Sequence, residues 1–321
     1  CLHYSTSFAV ENSIPKSWKS PHLQDHPLVG KIFDGTGTIE FERIPTESFA
    51  GSPFILIGEV HNNDDHHIIQ ANLVSAIGKL GMKRALVWEM VPQSLDDIVR
   101  EADPSADPEL SQLGLRLRWE ERGWGKWDAY RPVANAALVA NMPMRAGNID
   151  RKTVRALSRS GAVALPTEKR TEYALDRELD PKMSDGLFED LRTSHCGLLP
   201  ESAFASMALI QRARDGAMAR AMIEEQESVG GGAVLIAGDG HIRRDRGVPW
   251  YLRQMQANAK TLSIGILEVE EGADKATDYE LLNEIKDPLF DIVIFTPKAD
   301  LKDPCDSMRE LFKDAVAPKN E

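Results

Sequence analysis

Carboxylate and imidazole side chains follow several short apolar runs of the sequence. Glu59 and His61 lie at the end of the first run, Glu89 ends a second, and Asp239 and His241 follow a later one. In an open sheet of parallel strands, ligands bind beyond the carboxyl ends of the strands, and we expect these side chains to meet there. The group could hold a divalent metal, with His61, His241 and Glu89 as ligands. It could also exchange protons with a substrate or form a hydrogen-bonded polar floor.

Residues 119–132 and two residues outside this segment could contact a flat cofactor. The segment is rich in aromatic side chains, including Trp127, which suit a pocket wall as well as a packed junction. A tyrosinate oxygen or an imidazole nitrogen can ligate haem iron, so Tyr130, the competing Tyr251 and His66 are candidate ligands. The alternative for His66 is an exposed position in the first turn of a helix.

Three arginines, Arg243, Arg244 and Arg246, follow His241 closely in the sequence. Guanidinium groups pair with carboxylates through bidentate hydrogen bonds, and the propionates of haem are such carboxylates. Arg243 is therefore a candidate anchor for haem, and the alternative for all three arginines is a solvated basic loop.

The alternation of apolar and helical patterns predicts how these residues are positioned. Continuous apolar runs at residues 54–60, 85–90, 142–149 and 233–238 are typical of buried strands, and helical patterns separate them. We therefore predict an α/β fold with a largely parallel β-sheet flanked by helices, and a small helical subdomain. The predicted parts are an N-terminal tether, residues 1–24; a sheet domain, residues 25–92, 126–165 and 213–321; and the helical subdomain, residues 93–125 and 166–212.

Charge and cysteine content narrow the function classes. The 321 residues carry a net charge of −12, which disfavours nucleic acid as a partner because an acidic chain repels phosphates. No apolar run approaches the ~20 residues that a membrane-spanning helix needs. Cys196 and Cys305 could form a disulfide in an oxidising compartment, or they could remain two buried thiols.

The first residue, Cys1, suggests where the protein acts. A bacterial lipoprotein begins its mature form with a cysteine that carries the lipid, and the following segment, rich in Ser, His, Asn and Pro, suits a tether. We therefore expect a lipid anchor at Cys1 and a location in the bacterial cell envelope, at the periplasmic face of the outer membrane. The alternative is an arbitrary start of the chain.

Several motifs occur in a defined order along the chain. They are Gly58-Glu59-Val60-His61-Asn62, His66-His67, Trp88-Glu89-Met90, Trp127-Asp128-Ala129-Tyr130-Arg131-Pro132, Ala146-Gly147-Asn148, Gln211-Arg212-Ala213-Arg214-Asp215, Ala237-Gly238-Asp239-Gly240-His241, Arg243 and Gly247-Val248-Pro249. From about residue 25 to 270, this ordered set resembles the ChaN-like haem-binding uptake family, part of the Tiki and TraB superfamily.

The resemblance implies a haem-binding envelope lipoprotein that takes part in haem or iron uptake or storage. It also implies a homodimer, formed around haem, that can hold two stacked haems with a tyrosine as axial ligand. Within this chain, the resemblance assigns the ligand role to Tyr130 and makes His66 and His195 further haem contacts.

The same superfamily implies an alternative function. The remote Tiki relatives are metal-dependent proteases that use a Gly-x-x-His motif and glutamates. The matching positions in this chain are Glu59, His61, Glu89 and His241. The alternative to haem binding is therefore a metal-dependent hydrolase, in which a divalent ion activates water and a glutamate acts as the general base.

Overall fold

One β-sheet organises the protein in this computed structural model, which describes residues 13–282, 287–303, 305–306 and 308–310. The strands are β1 (Ile32–Asp34), β2 (Glu40–Phe41), β3 (Phe54–Ile57), β4 (Arg84–Pro92), β5 (Met144–Asn148), β6 (Gly232–Ile236), β7 (Thr261–Glu268) and β8 (Ile292–Thr296). Their order across the sheet is β2-β1-β8-β7-β3-β6-β4-β5. All neighbouring strands from β8 to β5 are parallel, and β1 is antiparallel to both β2 and β8. The predicted α/β fold with a largely parallel sheet is confirmed.

Helices connect the strands and cover both faces of the sheet. They are α1 (Thr46–Gly51), α2 (Asp64–Lys79), α3 (Asp96–Arg100), α4 (Ser111–Arg116), α5 (Trp127–Val139), α6 (Arg151–Ser160), α7 (Thr167–Glu172), α8 (Pro181–Ser194), α9 (Glu201–Val229), α10 (Asp239–Ile242) and α11 (Val248–Met255). Short 3₁₀ turns occur at Gln93–Leu95, Glu120–Arg122, Gly161–Ala164, Ala276–Asp278 and Glu280–Leu282. Asn63 caps the start of α2, because its side chain accepts a hydrogen bond from the backbone N–H of Asp65.

The sheet separates two hydrophobic cores. Along β3, Ile55 and Ile57 face one core while Phe54 and Leu56 face the other, because successive side chains of a strand point to opposite sides. Helices α2 and α5 cover the first core, and α9 and α11 cover the second. All four β3 side chains are fully buried, which explains why the strand is apolar at every position. The carboxyl ends of the central strands therefore form a firmly packed edge.

The segments outside the sheet pack against different hydrophobic clusters. Residues 93–125 contribute Trp119 to the core beneath α2 and α5, whereas residues 166–212 contribute Tyr173 to a third, smaller cluster. A hydrogen bond from Gln93 Nε2 to the Tyr173 hydroxyl (3.0 Å) joins the two stretches. The sequence assigned both stretches to one helical subdomain, and that division stays a prediction.

Part of the predicted tether, residues 1–24, is held against α2. The backbone N–H groups of Lys19 and Ser20 donate hydrogen bonds to the two carboxylate oxygens of Asp65, at 2.8 and 3.0 Å. The chain is therefore anchored to the sheet domain at these residues. Cys1 lies outside the described residues, and its lipid anchor stays a prediction.

A disulfide joins Cys196, in the loop between α8 and α9, to Cys305, in the segment after β8. The two cysteines lie 109 residues apart in the sequence, and their Cα atoms are 5.6 Å apart. Of the two alternatives for these cysteines, the structure shows the bonded one. No helix among the described residues is long and apolar enough to cross a membrane.

Candidate functional site

The segment that follows β3 is held in place by α2. Gln70 Nε2 donates a hydrogen bond to the carbonyl of Gly58 (3.0 Å), and the backbone N–H of Val60 donates to His66 Nδ1 (2.9 Å). The other ring nitrogen of His66, Nε2, donates to the Thr296 hydroxyl (2.8 Å). Burial lowers the pKa of His66 well below its usual value, which agrees with a neutral ring that accepts one hydrogen bond and donates another. His66 therefore fixes the backbone that carries the next residues of the site.

Glu59 is the first buried carboxylate of the site. Its Oε1 accepts hydrogen bonds from His61 Nδ1 (2.5 Å) and from the Tyr130 hydroxyl (2.7 Å). His67 Nε2 lies 3.5 Å from Oε2, and the Glu59 side chain has no exposed surface. Burial alone would raise the pKa of Glu59, but the hydrogen bond from His61 and the charges of His67 and His61 lower it. Glu59 is therefore ionised at neutral pH.

Glu89, on β4, is the second buried carboxylate. Its Oε1 lies 3.2 Å from His241 Nε2, and its Oε2 lies 3.8 Å from His61 Nε2. The same Oε2 accepts a hydrogen bond from the backbone N–H of Gly238 (2.8 Å). Burial opposes ionisation, but the charge and hydrogen bond of His241 hold the pKa of Glu89 well below its usual range. Glu89 therefore connects the end of β3 with the end of β6.

His241, on α10, lies between two carboxylates. Its Nδ1 donates to Asp215 Oδ1 (2.5 Å) on α9, and its Nε2 faces Glu89. Burial would lower the pKa of His241, but the charges of Glu89 and Asp215 raise it to about 10. The ring is therefore a buried imidazolium that neutralises its neighbours. Sequence reasoning assigned no role to Asp215, although it belongs to the motif at residues 211–215.

His61 is the part of this network that faces solvent. Its side chain is 40% exposed, whereas those of Glu59, Glu89 and His241 are 0%, 2% and 8% exposed. The half-buried Trp124 packs against the His61 ring, with centroids 5.0 Å apart and an edge-to-face angle of 70°. Burial lowers the pKa of His61, but the hydrogen bond to Glu59 and the charge of Glu89 raise it above its usual value. A molecule that approaches the network from solvent therefore meets His61 and Trp124.

A family model described as "Haem-binding uptake, Tiki superfamily, ChaN" matches residues 46–252. The match covers more than half of the chain and includes the whole His61–Glu89–His241 network. The chain belongs to this ChaN family. None of the curated proteins matches the sequence closely enough to count as a relative.

One of the solved structures that resemble this chain shares its fold. The structure of ChaN of Campylobacter jejuni, which describes cofacial haem binding to that protein, superimposes with a TM-score of 0.62. The two sequences are 18% identical over 82% of this chain and 95% of that chain, so the similarity shows the fold. The type III effector HopBA1 has a TM-score of 0.43 at 16% identity, over 77% of this chain and 88% of that one. An erythromycin esterase mutant, EreC, has a TM-score of 0.45 at 10% identity, over 81% and 94%. These two similarities are too weak to support an argument.

The aromatic residues predicted to contact haem are packed inside this ChaN-family protein. Tyr130 is 1% exposed, and burial together with the charge of Glu59 raises its pKa well above the usual value. Trp127 is 7% exposed, and its indole N–H donates to a backbone carbonyl. Tyr251 is fully buried, and its hydroxyl accepts a hydrogen bond from Arg212 (3.1 Å). The haem-ligand role predicted for either tyrosine stays a prediction, and it requires the side chain to become accessible.

The other predicted haem contacts form hydrogen bonds or ion pairs with other parts of the protein. Arg243 forms a bidentate pair with Asp245 (3.0 and 2.9 Å) and lies 3.6 Å from Asp190 on α8. His195 follows α8, and its Nδ1 lies 2.8 Å from the carbonyl of Leu191. Arg243 thus holds the loop after α10 against α8. As haem contacts, Arg243, His195 and the buried His66 stay predictions.

The residues proposed as metal ligands are close together, but they bond to one another. Glu89 lies between His61 and His241, within 3.2 to 3.8 Å of a nitrogen of each. Across the part of the chain that the structure describes, no group of three or more His, Cys, Asp or Glu side chains is arranged to hold a metal ion. The structure therefore gives the divalent metal of the alternative hydrolase no support.

Gly58 allows β3 and the loop after β6 to come together. A Cβ atom at this position would lie 1.8 Å from Asp239 Oδ1 and 2.8 Å from Ile242 Cδ1. The same Asp239 oxygen accepts a hydrogen bond from the backbone N–H of Ile266 on β7 (3.3 Å). The absence of a side chain at Gly58 therefore lets three strand ends meet.

We expect Gly58→Ala to lower the free energy of unfolding by about 1–3 kcal/mol, because the added methyl displaces Asp239 from its backbone partner. Urea denaturation followed by circular dichroism measures the change. Gly240→Ala is the matched control, because a Cβ at Gly240 meets no atom within 4 Å. Equal stabilities of the two variants would contradict the close contact at Gly58.

The charge of His241 predicts a pH dependence. Its folded-state pKa of about 10 lies above the ordinary value of 6.5, so the imidazolium stabilises the fold fully below about pH 6.5. This stabilisation is lost as the pH rises through about 10. We expect the ring ¹⁵N signals of His241, assigned by comparison with His241→Gln, to stay those of an imidazolium at pH 7.5. A midpoint near pH 6.5 would show that Glu89 and Asp215 do not hold the charge.

Proposed function

We propose that this protein binds haem and serves haem or iron uptake or storage in the bacterial cell envelope. The observation that carries the proposal is the match of the haem-binding ChaN family model to residues 46–252. The fold shared with ChaN of Campylobacter jejuni, a protein described with cofacial haem, supports it. The residues matched by the family model include the whole buried network.

The exposed face formed by His61 and Trp124 is the proposed point of contact with haem. A histidine that ligates iron usually donates its other ring nitrogen to a carboxylate or carbonyl, which fixes the ring and raises its basicity. His61 has this arrangement, because its Nδ1 donates to the fully buried Glu59. The adjoining Trp124 offers an aromatic surface for a porphyrin edge.

We further propose that haem binding involves a second copy of the chain. The face around His61 offers one imidazole and one indole, which cover a small part of a porphyrin. Arg243, the expected propionate anchor, is paired with Asp245 and lies near Asp190. A homodimer around haem would supply the missing contacts, in agreement with the cofacial arrangement described for the Campylobacter jejuni protein.

The proposed location in the cell envelope is supported by the disulfide between Cys196 and Cys305. Disulfides persist in oxidising compartments such as the bacterial periplasm and are rare in the cytosol. A lipid anchor at Cys1 remains part of this proposal.

Titration of the apo-protein with hemin tests haem binding. We expect a sharp Soret band, together with a shift from monomer to dimer in sedimentation velocity. We expect His61→Ala to weaken the affinity by about tenfold or more, because the loss of a ligand or of its support costs about ten- to hundredfold. His22→Ala is the matched control, because this partly buried histidine is not among the proposed haem contacts, and it should leave the affinity unchanged.

The spectrum also identifies the axial ligand. A ferric-tyrosinate spectrum that Tyr130→Phe abolishes, with His61→Ala unchanged, would assign the ligand to Tyr130 and contradict the contact at His61. A spectrum that stays that of free hemin in the wild-type protein would overturn the proposed function itself.

A second candidate function is hydrolysis by acid–base catalysis at His61. The observation that favours it is the position of this exposed imidazole between Glu59 and Glu89, at 2.5 and 3.8 Å. A histidine with such partners can remove a proton from water or return it to a leaving group.

Hydrolysis of a small nitrophenyl ester in the presence of a chelator tests this second candidate. If His61 is the base, His61→Asn should lower kcat/KM by about a hundredfold, while His195→Asn should leave it unchanged. Addition of zinc, manganese or cobalt tests the metal-dependent form separately. If the hydrolysis rates equal those without protein under every condition, both the metal-free and the metal-dependent hydrolase proposals are wrong.

A further inference from the structure

Helix α6 concentrates positive charge on one side. Arg151, Lys152, Arg155 and Arg159 are all exposed, and α6 contains no acidic residue. At about 100° per residue, these four positions fall within about 100° of the helix circumference. Leu157, which is fully buried, lies on the opposite side and packs into the small cluster formed with α9. The helix therefore has an apolar inner side and a cationic outer side.

These four cations differ from other arginines of the protein. Within the described part of the chain, none of the four has a carboxylate at ion-pair distance. By contrast, Arg145 pairs with Glu224 and Glu225, and Arg243 pairs with Asp245. Because the charges on α6 are not used to hold the fold together, they remain available to an external anion.

An exposed apolar side chain follows the helix in the next turn of the chain. Val163 lies in the turn Gly161–Ala164 that directly follows α6, and 77% of its surface is exposed. It is the most exposed large hydrophobic side chain among the described residues. The attachment of a surface segment to a bilayer interface gains from buried apolar area as well as from attraction to anionic lipids.

We propose that Arg151, Lys152, Arg155, Arg159 and Val163, here called the α6 basic face, dock the protein onto the anionic headgroups of a phospholipid bilayer. Lysine and arginine side chains near an anionic bilayer contribute attraction that salt screens. The chain as a whole carries a net charge of −12, so the rest of its surface is repelled by the same bilayer. The contrast would therefore fix one orientation of the protein on the membrane.

The exposed Val163 favours a bilayer over a second copy of this chain as the occupant, because a bilayer interface takes up an apolar side chain as well as attracting the cations. Helix α6 packs on α9 through its inner side and leaves its outer side open to such a surface. The proposal rests only on the envelope location within the proposed function, and it does not depend on haem.

Vesicle co-sedimentation tests the proposal with the full, unacylated chain, so that a lipid at Cys1 cannot contribute. We expect the protein to bind vesicles of phosphatidylglycerol mixed with phosphatidylcholine, and not vesicles of phosphatidylcholine alone. Binding should weaken as salt is raised. The variant Arg155→Glu with Arg159→Glu should bind at least about tenfold more weakly. Val163→Ser should weaken binding by a smaller factor.

Lys79→Glu with Lys83→Glu is the matched control, because it makes the same charge change at two exposed positions, the last residue of α2 and the residue before β4. This control should bind like the wild type, and circular dichroism verifies that each variant is folded. If the Glu pair on α6 fails to fold, Arg155→Gln with Arg159→Gln replaces it.

Three results would overturn the proposal. They are equal binding to both kinds of vesicle, equal losses in the α6 and control variants, and salt-sensitive self-association through α6 without vesicle binding. The last result would make the face an interface between copies. Hemin titration of the same variants separates this proposal from haem binding, because the α6 variants should keep the wild-type Soret band.

Discussion

Two buried carboxylates at the edge of the sheet, Glu59 and Glu89, require positive charge beside them. Their side chains are 0% and 2% exposed, and an ionised carboxylate in such a place is costly unless it is paired and hydrogen-bonded. The partners are His61 after β3, which donates a hydrogen bond to Glu59, and the imidazolium of His241 after β6, which Asp215 on α9 holds in place. Removing either imidazole would leave a buried carboxylate without its partner. The positions of the strand ends and of α9 therefore depend on one another.

This dependence explains why only one member of the network can meet a ligand. His241 lies between Glu89 and Asp215, and its imidazolium is needed there for neutrality. His61 is held from one side by Glu59, while part of its ring remains open beside Trp124. A metal ion binds neutral imidazole, so ligation at His61 would change the charge seen by Glu89. The buried pairs would thus adjust the affinity of the exposed residue without contacting the ligand.

From the sequence, the position of the candidate site in the fold could be predicted better than the accessibility of its side chains. Parallel strands place their carboxyl ends at one edge of the sheet. The order of strands and helices in the sequence was therefore enough to predict that Glu59, His61, Glu89 and His241 lie close together. The side chain of Asp215 reaches the edge from the middle of the 29-residue helix α9, so its partner depends on how that helix crosses the sheet. The local sequence pattern of α9 does not indicate how the helix crosses the sheet.

Accessibility was harder to predict because packing decides it. The type of a residue shows what Tyr130, Trp127 or Arg243 can do, but neighbours decide whether a ligand can reach it. In the structure, Trp119 packs against both Trp127 and Tyr130, with centroids 4.9 and 4.8 Å apart. The aromatic segment is thus mainly a packed junction, and Trp124 is its member beside His61.

The residues behind His61 are buried, so the proposed haem binding takes place at the surface of the protein. Among the described residues, those behind His61 are buried and form hydrogen bonds and aromatic contacts with one another. Under the proposed function, a large flat ligand would lie against the outer face of the site, and a second molecule would supply its remaining contacts. Binding of this kind depends on how each copy is presented to its partner. A surface that orients the protein, such as the α6 basic face, would then affect binding without touching the ligand.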